Sequence, residues 1–180
     1  AMLNGIISGV IIGFINGFRI VKLRANPIIW TGGFSLLLSG IVRVVWEGKQ
    51  LYADKVAKDT EFAQNAANTF FSIARTYIGK YISLMAIVMI VIMIIAWFIH
   101  AKTKFGQKLK IIGTNYEVAK FSGINCAKTL ITAYIINGVC ASIGGIFFAA
   151  LRKTASYENG TGYDFSCLTA VLLGGCLLNG

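Results

Sequence analysis

Charge-free apolar stretches alternate with polar connections along the whole chain. Five such windows cover residues 1–18, 25–42, 81–99, 129–151 and 165 to the last residue. About 20 residues of helix cross a bilayer core, and each window is long or nearly long enough. None alternates polar and apolar positions, so helices are expected rather than barrel strands. The fold class read from this pattern is all-α, a polytopic transmembrane bundle with about five membrane segments. The last window is still apolar at Leu178-Asn179-Gly180, so residues 1–180 are read as one membrane domain that is a fragment of a longer protein. The first window lacks a basic leader and a small-x-small cleavage site before Arg19, and is not read as a signal peptide.

Within the windows the pattern carries more detail. Gly5, Gly9, Gly13 and Gly17 recur every four residues, which places them on one helix face and predicts close packing against a neighbouring helix. Pro27 after Asn26 suits the first turn of the second helix. Gly32-Gly33 and Gly174-Gly175 are small-residue packing positions and also places where a helix could break and expose backbone. Between the second and third windows, Phe62, Ala66, Phe70, Ala74 and Tyr77 recur at three to four residues. That spacing predicts an amphipathic interfacial helix within a 47–77 outer segment. His100, the only histidine, is expected at the inner end of the third helix, solvated or capping.

The connection 101–128 is polar and basic. Asn115 is placed to cap a short helix with Glu117 in its first turn. Gly123 follows the apolar Val118, Ala119 and Phe121, where a helix end needs left-handed backbone. A helix of about two turns is expected there.

Composition agrees with a membrane protein: 56% of residues are hydrophobic and 13% charged. The formal net charge of +10 would suit a nucleic-acid binder, but its distribution argues against one. Arg19, Lys22 and Arg24 occupy the first connection without an acid, and six lysines in 100–128 face only Glu117. The connections 43–80 and 151–164 are close to balanced. The excess therefore lies in alternate connections, which places 19–26 and 100–128 in the cytoplasm and 43–80 and 151–164 outside. Basic groups at the inner leaflet also attract anionic lipid. Cys126, Cys140, Cys167 and Cys176 show no metal-ligand spacing and are read as small, buried, reduced thiols.

Three stretches, in order, resemble one family. Gly13-Phe-Ile-Asn16-Gly17, then Lys22-Leu-Arg24, then Pro27-Ile-Ile-Trp-Thr31-Gly32 form the first. Thr103-Lys-Phe105-Gly106 and Ile112-Gly113-Thr-Asn115-Tyr-Glu117-Val-Ala119, closed by Ser122-Gly123-Ile124-Asn125, form the second. Gly160-Thr-Gly162-Tyr163 with Ala170-Val-Leu-Leu-Gly174-Gly175 forms the third. Together they resemble the permease subunits of ribose/xylose/galactose-type sugar ABC importers, within the branched-chain-type permease superfamily. The outer segment 47–77 departs from the family, being charged and helix-like where a Gly/Pro-rich loop is usual. Val118 stands in place of an alanine of the general importer motif.

The resemblance implies an importer of a monosaccharide across the cytoplasmic (inner) membrane. Asn115, Glu117, Ala119 and Gly123 would form the coupling helix that docks on a separate ABC ATPase. ATP and Mg would sit on that ATPase, and this chain would bind no cofactor or metal. An extracytoplasmic sugar-binding protein and a second permease chain would be the other partners, alongside membrane lipid. Asn16, Thr31 and Asn137 are the candidates for the transport path.

No P-loop, HExxH or GxSxG pattern occurs, and no acid lies inside an apolar window, so an enzyme is not expected. Two other readings stay open at this point. A branched-chain amino acid or nucleoside permease would share the coupling segment and the Gly-Gly end. A non-transporting scaffold would share the glycine faces but not the coupling pattern.

Overall fold

The computed structural model of the chain describes residues 2–23, 25–45, 47, 51–52, 77–78 and 82–175. They form helices α1 (Met2–Leu23), α2 (Pro27–Val45), α3 (Leu84–Lys102), α4 (Lys104–Thr114), α5 (Tyr116–Phe121), α6 (Cys126–Arg152) and α7 (Tyr163–Leu173). A 3-10 turn covers Tyr157–Gly160. Four two-residue strands add β1 (Leu51–Tyr52), β2 (Tyr77–Ile78), β3 (Ile82–Ser83) and β4 (Thr154–Ala155). The interior of α3 is mostly Ile, Val and Met, residues of only middling helix propensity where β-branched. In lipid the backbone must pair within its own segment, and that decides for helix.

Among the described residues, α1, α2 and α6 are long and apolar enough to cross a membrane. α3 and α4 together form a fourth candidate, bent by 70°. The fifth expected segment is represented by α7, whose 11 residues reach about 16 Å at the helical rise and stop short of a span. The 62–74 periodicity lies outside the described residues.

α1 packs along α6, and the glycine stripe is the contact face. Gly9, Gly13 and Gly17 are buried. A Cβ at Gly13 would stand 2.5 Å from the Tyr134 carbonyl oxygen and 2.9 Å from Ile135 Cα. At Gly17 it would meet Ile131 Cα at 3.0 Å, and at Gly5 the Ile146 Cδ1 at 3.1 Å. At Gly9 it would run into the Ser142 hydroxyl, with the Gly138 carbonyl at 2.5 Å. Rising residue numbers on α1 meet falling numbers on α6, so the pair is antiparallel. Such backbone proximity provides the dispersion contacts that hold helices together in lipid.

Antiparallel packing sorts the connections. The end of α1, with Arg19 and Lys22, lies beside the start of α6, next to α4 and α5. At the opposite end, Leu51 pairs with Ala155 and Tyr52 with Thr154 across the β1–β4 ladder. The two basic connections thus share one end, and the two balanced ones meet at the other.

The two glycine pairs behave differently. α2 runs straight through Gly32-Gly33 without a break. Gly174 and Gly175 end α7, with Gly175 at φ 87° and no neighbouring atom within 4 Å of a Cβ built there. Their position is a helix terminus, where no other element packs on them among the described residues. Pro27 opens α2 as its spacing predicts, and the Asn26 side chain accepts from the Ile28 N–H at 3.0 Å. The thiols differ from expectation: Cys126 is buried, but Cys140 and Cys167 are exposed. Both lie on apolar helix surfaces, where a thiol behaves as a small apolar group. Cys176 lies outside the described residues.

Candidate functional site

The basic segment between α3 and α6 is helical nearly throughout. Thr103 caps α4, its Oγ1 accepting from the Gly106 N–H at 3.3 Å. Asn115 then caps α5 with one oxygen, which accepts from the Glu117 N–H at 3.0 Å and the Val118 N–H at 3.1 Å. Glu117 in the first turn and Lys120 in the last complement the helix dipole. At the other end the Gly123 N–H donates to the Lys120 carbonyl and the Ile124 N–H to the Ala119 carbonyl, both at 3.1 Å. Gly123 has φ 75°. This is a Schellman closure, with glycine at the left-handed position that a side chain would strain. Asn125 immediately caps α6, accepting from the Lys128 N–H at 3.1 Å.

Burial divides the four coupling candidates. Ala119 is 0% exposed and packs in a cluster with Ile112 of α4 and Cys126 of α6, flanked by Ile124 and Leu130. Asn115, Glu117 and Gly123 are exposed. Ala119 therefore seats α5 on its own chain, and the outward surface belongs to its neighbours. Phe121 is 87% exposed, Val118 53% and Tyr116 41%. These three give α5 an apolar outer surface, and Lys104, Lys108 and Lys110 of α4 and Lys120 of α5 are also exposed.

The three path candidates are not brought together. The Asn16 Oδ1 accepts from the Trp30 Nε1–H at 3.1 Å, which ties α1 to α2. The Arg19 guanidinium lies over the Trp30 ring at 5.7 Å, and the Phe34 ring stacks with Trp30 at 6.0 Å between centroids. Trp30 and Phe34 also line an apolar cavity of about 270 Å³ along α2. The Thr31 hydroxyl donates to the Pro27 carbonyl of its own helix at 2.8 Å. Asn137 lies elsewhere, in a cavity of about 230 Å³ with Ala96, Ile99 and His100 of α3, Phe105 and Leu109 of α4, and Cys140. At about 100° per residue, Cys140 is on the side of α6 opposite Tyr134, Gly138 and Ser142, which face α1, and Asn137 lies between the two sides.

Comparison with known proteins places the chain. The family model described as "Branched-chain amino acid transport system / permease component" matches residues 1–180. The chain belongs to that permease family. It is similar to the galactose/methyl galactoside import permease protein MglC of Haemophilus influenzae, 29% identical over 170 residues, covering 93% of this chain and 48% of that protein. Identity to the ribose import permease protein RbsC of Escherichia coli K12 is 32% over 174 residues, 96% of this chain and 51% of the relative. The D-allose transport system permease protein AlsC of the same organism is 27% identical over 175 residues, 97% and 50% respectively. The permease chain thus spans about half the length of the curated relatives it matches. No solved structure matches it.

Sequence reasoning missed three residues of this permease chain. Phe121 was visible only as one apolar residue before Gly123, and its outward direction follows from Ala119 pointing in. Trp30 joins two helices through an indole N–H whose partner lies 14 residues away. Gly106, quoted above only within the family resemblance, is buried where α4 meets the end of α3.

Proposed function

We propose that this chain is part of a membrane permease subunit that imports a monosaccharide across the cytoplasmic (inner) membrane, driven by a separate ABC ATPase. Residues 101–128 form the cytoplasmic coupling segment, with α5 as the plug. Connection 19–26 lies on the same side, and the 47–77 segment faces outward, toward an extracytoplasmic sugar-binding protein. A second permease chain completes the pathway. ATP and Mg belong to the ATPase, and this chain carries out no hydrolysis.

The observation that carries this reading is the division of α5 into a seated and a presented face. Ala119 is fully buried against Ile112 and Cys126, while Phe121 and Val118 point away from the chain. A helix capped at both ends and seated by one residue has no need of an exposed phenylalanine for its own stability. An apolar surface on a lysine-rich segment suits insertion into a cleft on a partner. A monosaccharide is favoured because the relatives are named for galactose, ribose and allose.

The test is co-purification of the full-length permease with the ATPase of its system, wild type against Phe121→Asp and Gly123→Asp. Retention by wild type and loss by both variants, at equal membrane levels, is the expected result. Full retention by Phe121→Asp overturns the plug assignment. The family description names branched-chain amino acids, so uptake of leucine is measured beside galactose, ribose and allose. Leucine uptake without sugar uptake overturns the substrate class.

A further inference from the structure

The turn from α3 into α4 is built to hold its angle. The two helices meet at 70°. Thr103 at the corner bonds both ways: its hydroxyl donates to the Ile99 carbonyl at 2.5 Å and accepts from the Gly106 N–H at 3.3 Å. The Gln107 N–H also donates to the Thr103 carbonyl at 3.2 Å. Gly106 is buried against the backbone of His100. A Cβ there would collide with the His100 carbonyl oxygen and lie 2.6 Å from its carbon and 2.7 Å from its Cα. All three are main-chain atoms, so no side-chain rotation relieves the overlap. Gly113, on the same helix, has nothing within 4 Å of its Cβ position. The far end of α4 is held too, by Ile112 in the cluster with Ala119 and Cys126. α4 is therefore fixed to α3 at one end and to the plug and α6 at the other.

We infer that Gly106 and Thr103 are positioning residues, which fix the angle between α3 and the plug so that ATPase movement is passed into α3 and not absorbed at the corner. This rests on the reading of α5 as the plug. A turn free to bend would let α5 follow the ATPase while α3 stayed still. A turn locked by a backbone-to-backbone contact and a two-way hydroxyl removes that freedom.

The experiment uses the full-length permease in proteoliposomes with its ATPase and binding protein. It reads ATPase retention, ATP hydrolysis and sugar taken up per ATP hydrolysed. Gly106→Ala is expected to retain the ATPase at the wild-type level and to lower uptake per ATP by about tenfold, the population shift that modest overpacking strain produces. Thr103→Val, which adds no bulk, is expected to lower the ratio less, and Thr103→Ser to restore it. Gly113→Ala is expected to match wild type. His100→Ala is not expected to rescue Gly106→Ala, because the collision is with main-chain atoms. Should Gly106→Ala not accumulate in the membrane, the Thr103→Val and Thr103→Ser pair carries the test. A wild-type ratio in Gly106→Ala or Thr103→Val overturns the inference while leaving the plug intact. An equal fall in Gly113→Ala overturns it as well, since any change to α4 would then suffice. Failure of wild type to retain the ATPase is a separate result, and it removes the plug reading first.

Discussion

Alanine substitution of the glycines should move stability in opposite directions on α1 and α2. At Gly13 a Cβ would stand 2.5 Å from the Tyr134 carbonyl oxygen, against ordinary contact beginning near 3.4 Å. Neither that oxygen nor Ile135 Cα, at 2.9 Å, can move without its helix. The helices must therefore part by most of an ångström. A gap of about 0.5–1 Å forfeits a quarter to a half of each dispersion well along the contact. Overpacking of this kind costs about 1–3 kcal/mol. Alanine recovers about 1 kcal/mol of helix propensity over glycine, so Gly13→Ala should lose up to about 2 kcal/mol net. At Gly32 and Gly33 nothing among the described residues lies within 4 Å, so only the propensity gain of about 1 kcal/mol remains. Gly5→Ala should fall between, because its nearest atoms are the mobile end of Ile146. Ser142→Gly should rescue Gly9→Ala only in part, since the Gly138 carbonyl stays at 2.5 Å. The assay is thermal inactivation of the full-length permease, followed by the monodisperse fraction after heating. Gly13→Ala should melt below wild type and Gly33→Ala at or above it. Equal midpoints for Gly13→Ala and Gly33→Ala would show that the stripe is not a packing face.

Asn115→Ala removes an oxygen that serves two backbone donors, and should loosen α5 by about 1 kcal/mol, read as faster amide exchange at Glu117 and Val118. Gly123→Ala has open space around it but must keep φ near 75°, so it should cost about 1–2 kcal/mol from conformation alone and speed exchange at Ile124. Trp30→Phe leaves Asn16 without its donor, and should cost about 1–3 kcal/mol in the same thermal assay. Asn16→Ala in the Trp30→Phe background should add little if that bond is what matters.

The features legible in the sequence were those set by a single helix. Spacing by four put the glycine stripe on one face, and the identities of Asn115, Gly123 and Pro27 fixed their places at helix ends. Features that depend on a second element were not legible. Gly32-Gly33 and Gly174-Gly175 are the same dipeptide, yet one sits inside a continuous helix and the other ends one. Gly13 and Gly106 both admit close backbone, but the partner of the second is a residue six positions away around a bend. Asn16 and Asn137 looked alike as polar groups in apolar windows. One is tied to Trp30, and the other faces a cavity on the far side of α6. Ala119 matched the coupling pattern as a motif residue, whereas its burial against Cys126 shows that it seats the helix, with Phe121 left exposed.

α6 is the element on which these parts converge. It begins at the base of α5: Ile124 closes the α5 cap, Asn125 opens α6, and Cys126 is buried with Ala119. One face of α6 is then locked to α1 from Ile131 to Ile146, while the opposite face forms the cavity shared with α3 and α4. Its 27 residues rise about 40 Å and end at Lys153, beside the β4 strand that pairs with Leu51 and Tyr52. α2, by contrast, is joined to α1 through the Trp30–Asn16 bond and the Arg19–Trp30 contact near one end. Among the described residues, α1 and α6 therefore form a closely packed pair that begins beside α5, while α2 meets α1 and the Tyr157–Gly160 turn less extensively. Close backbone contact in one pair and side-chain tethering in the other is a sufficient physical reason for α1 and α6 to move as one body when α5 is displaced.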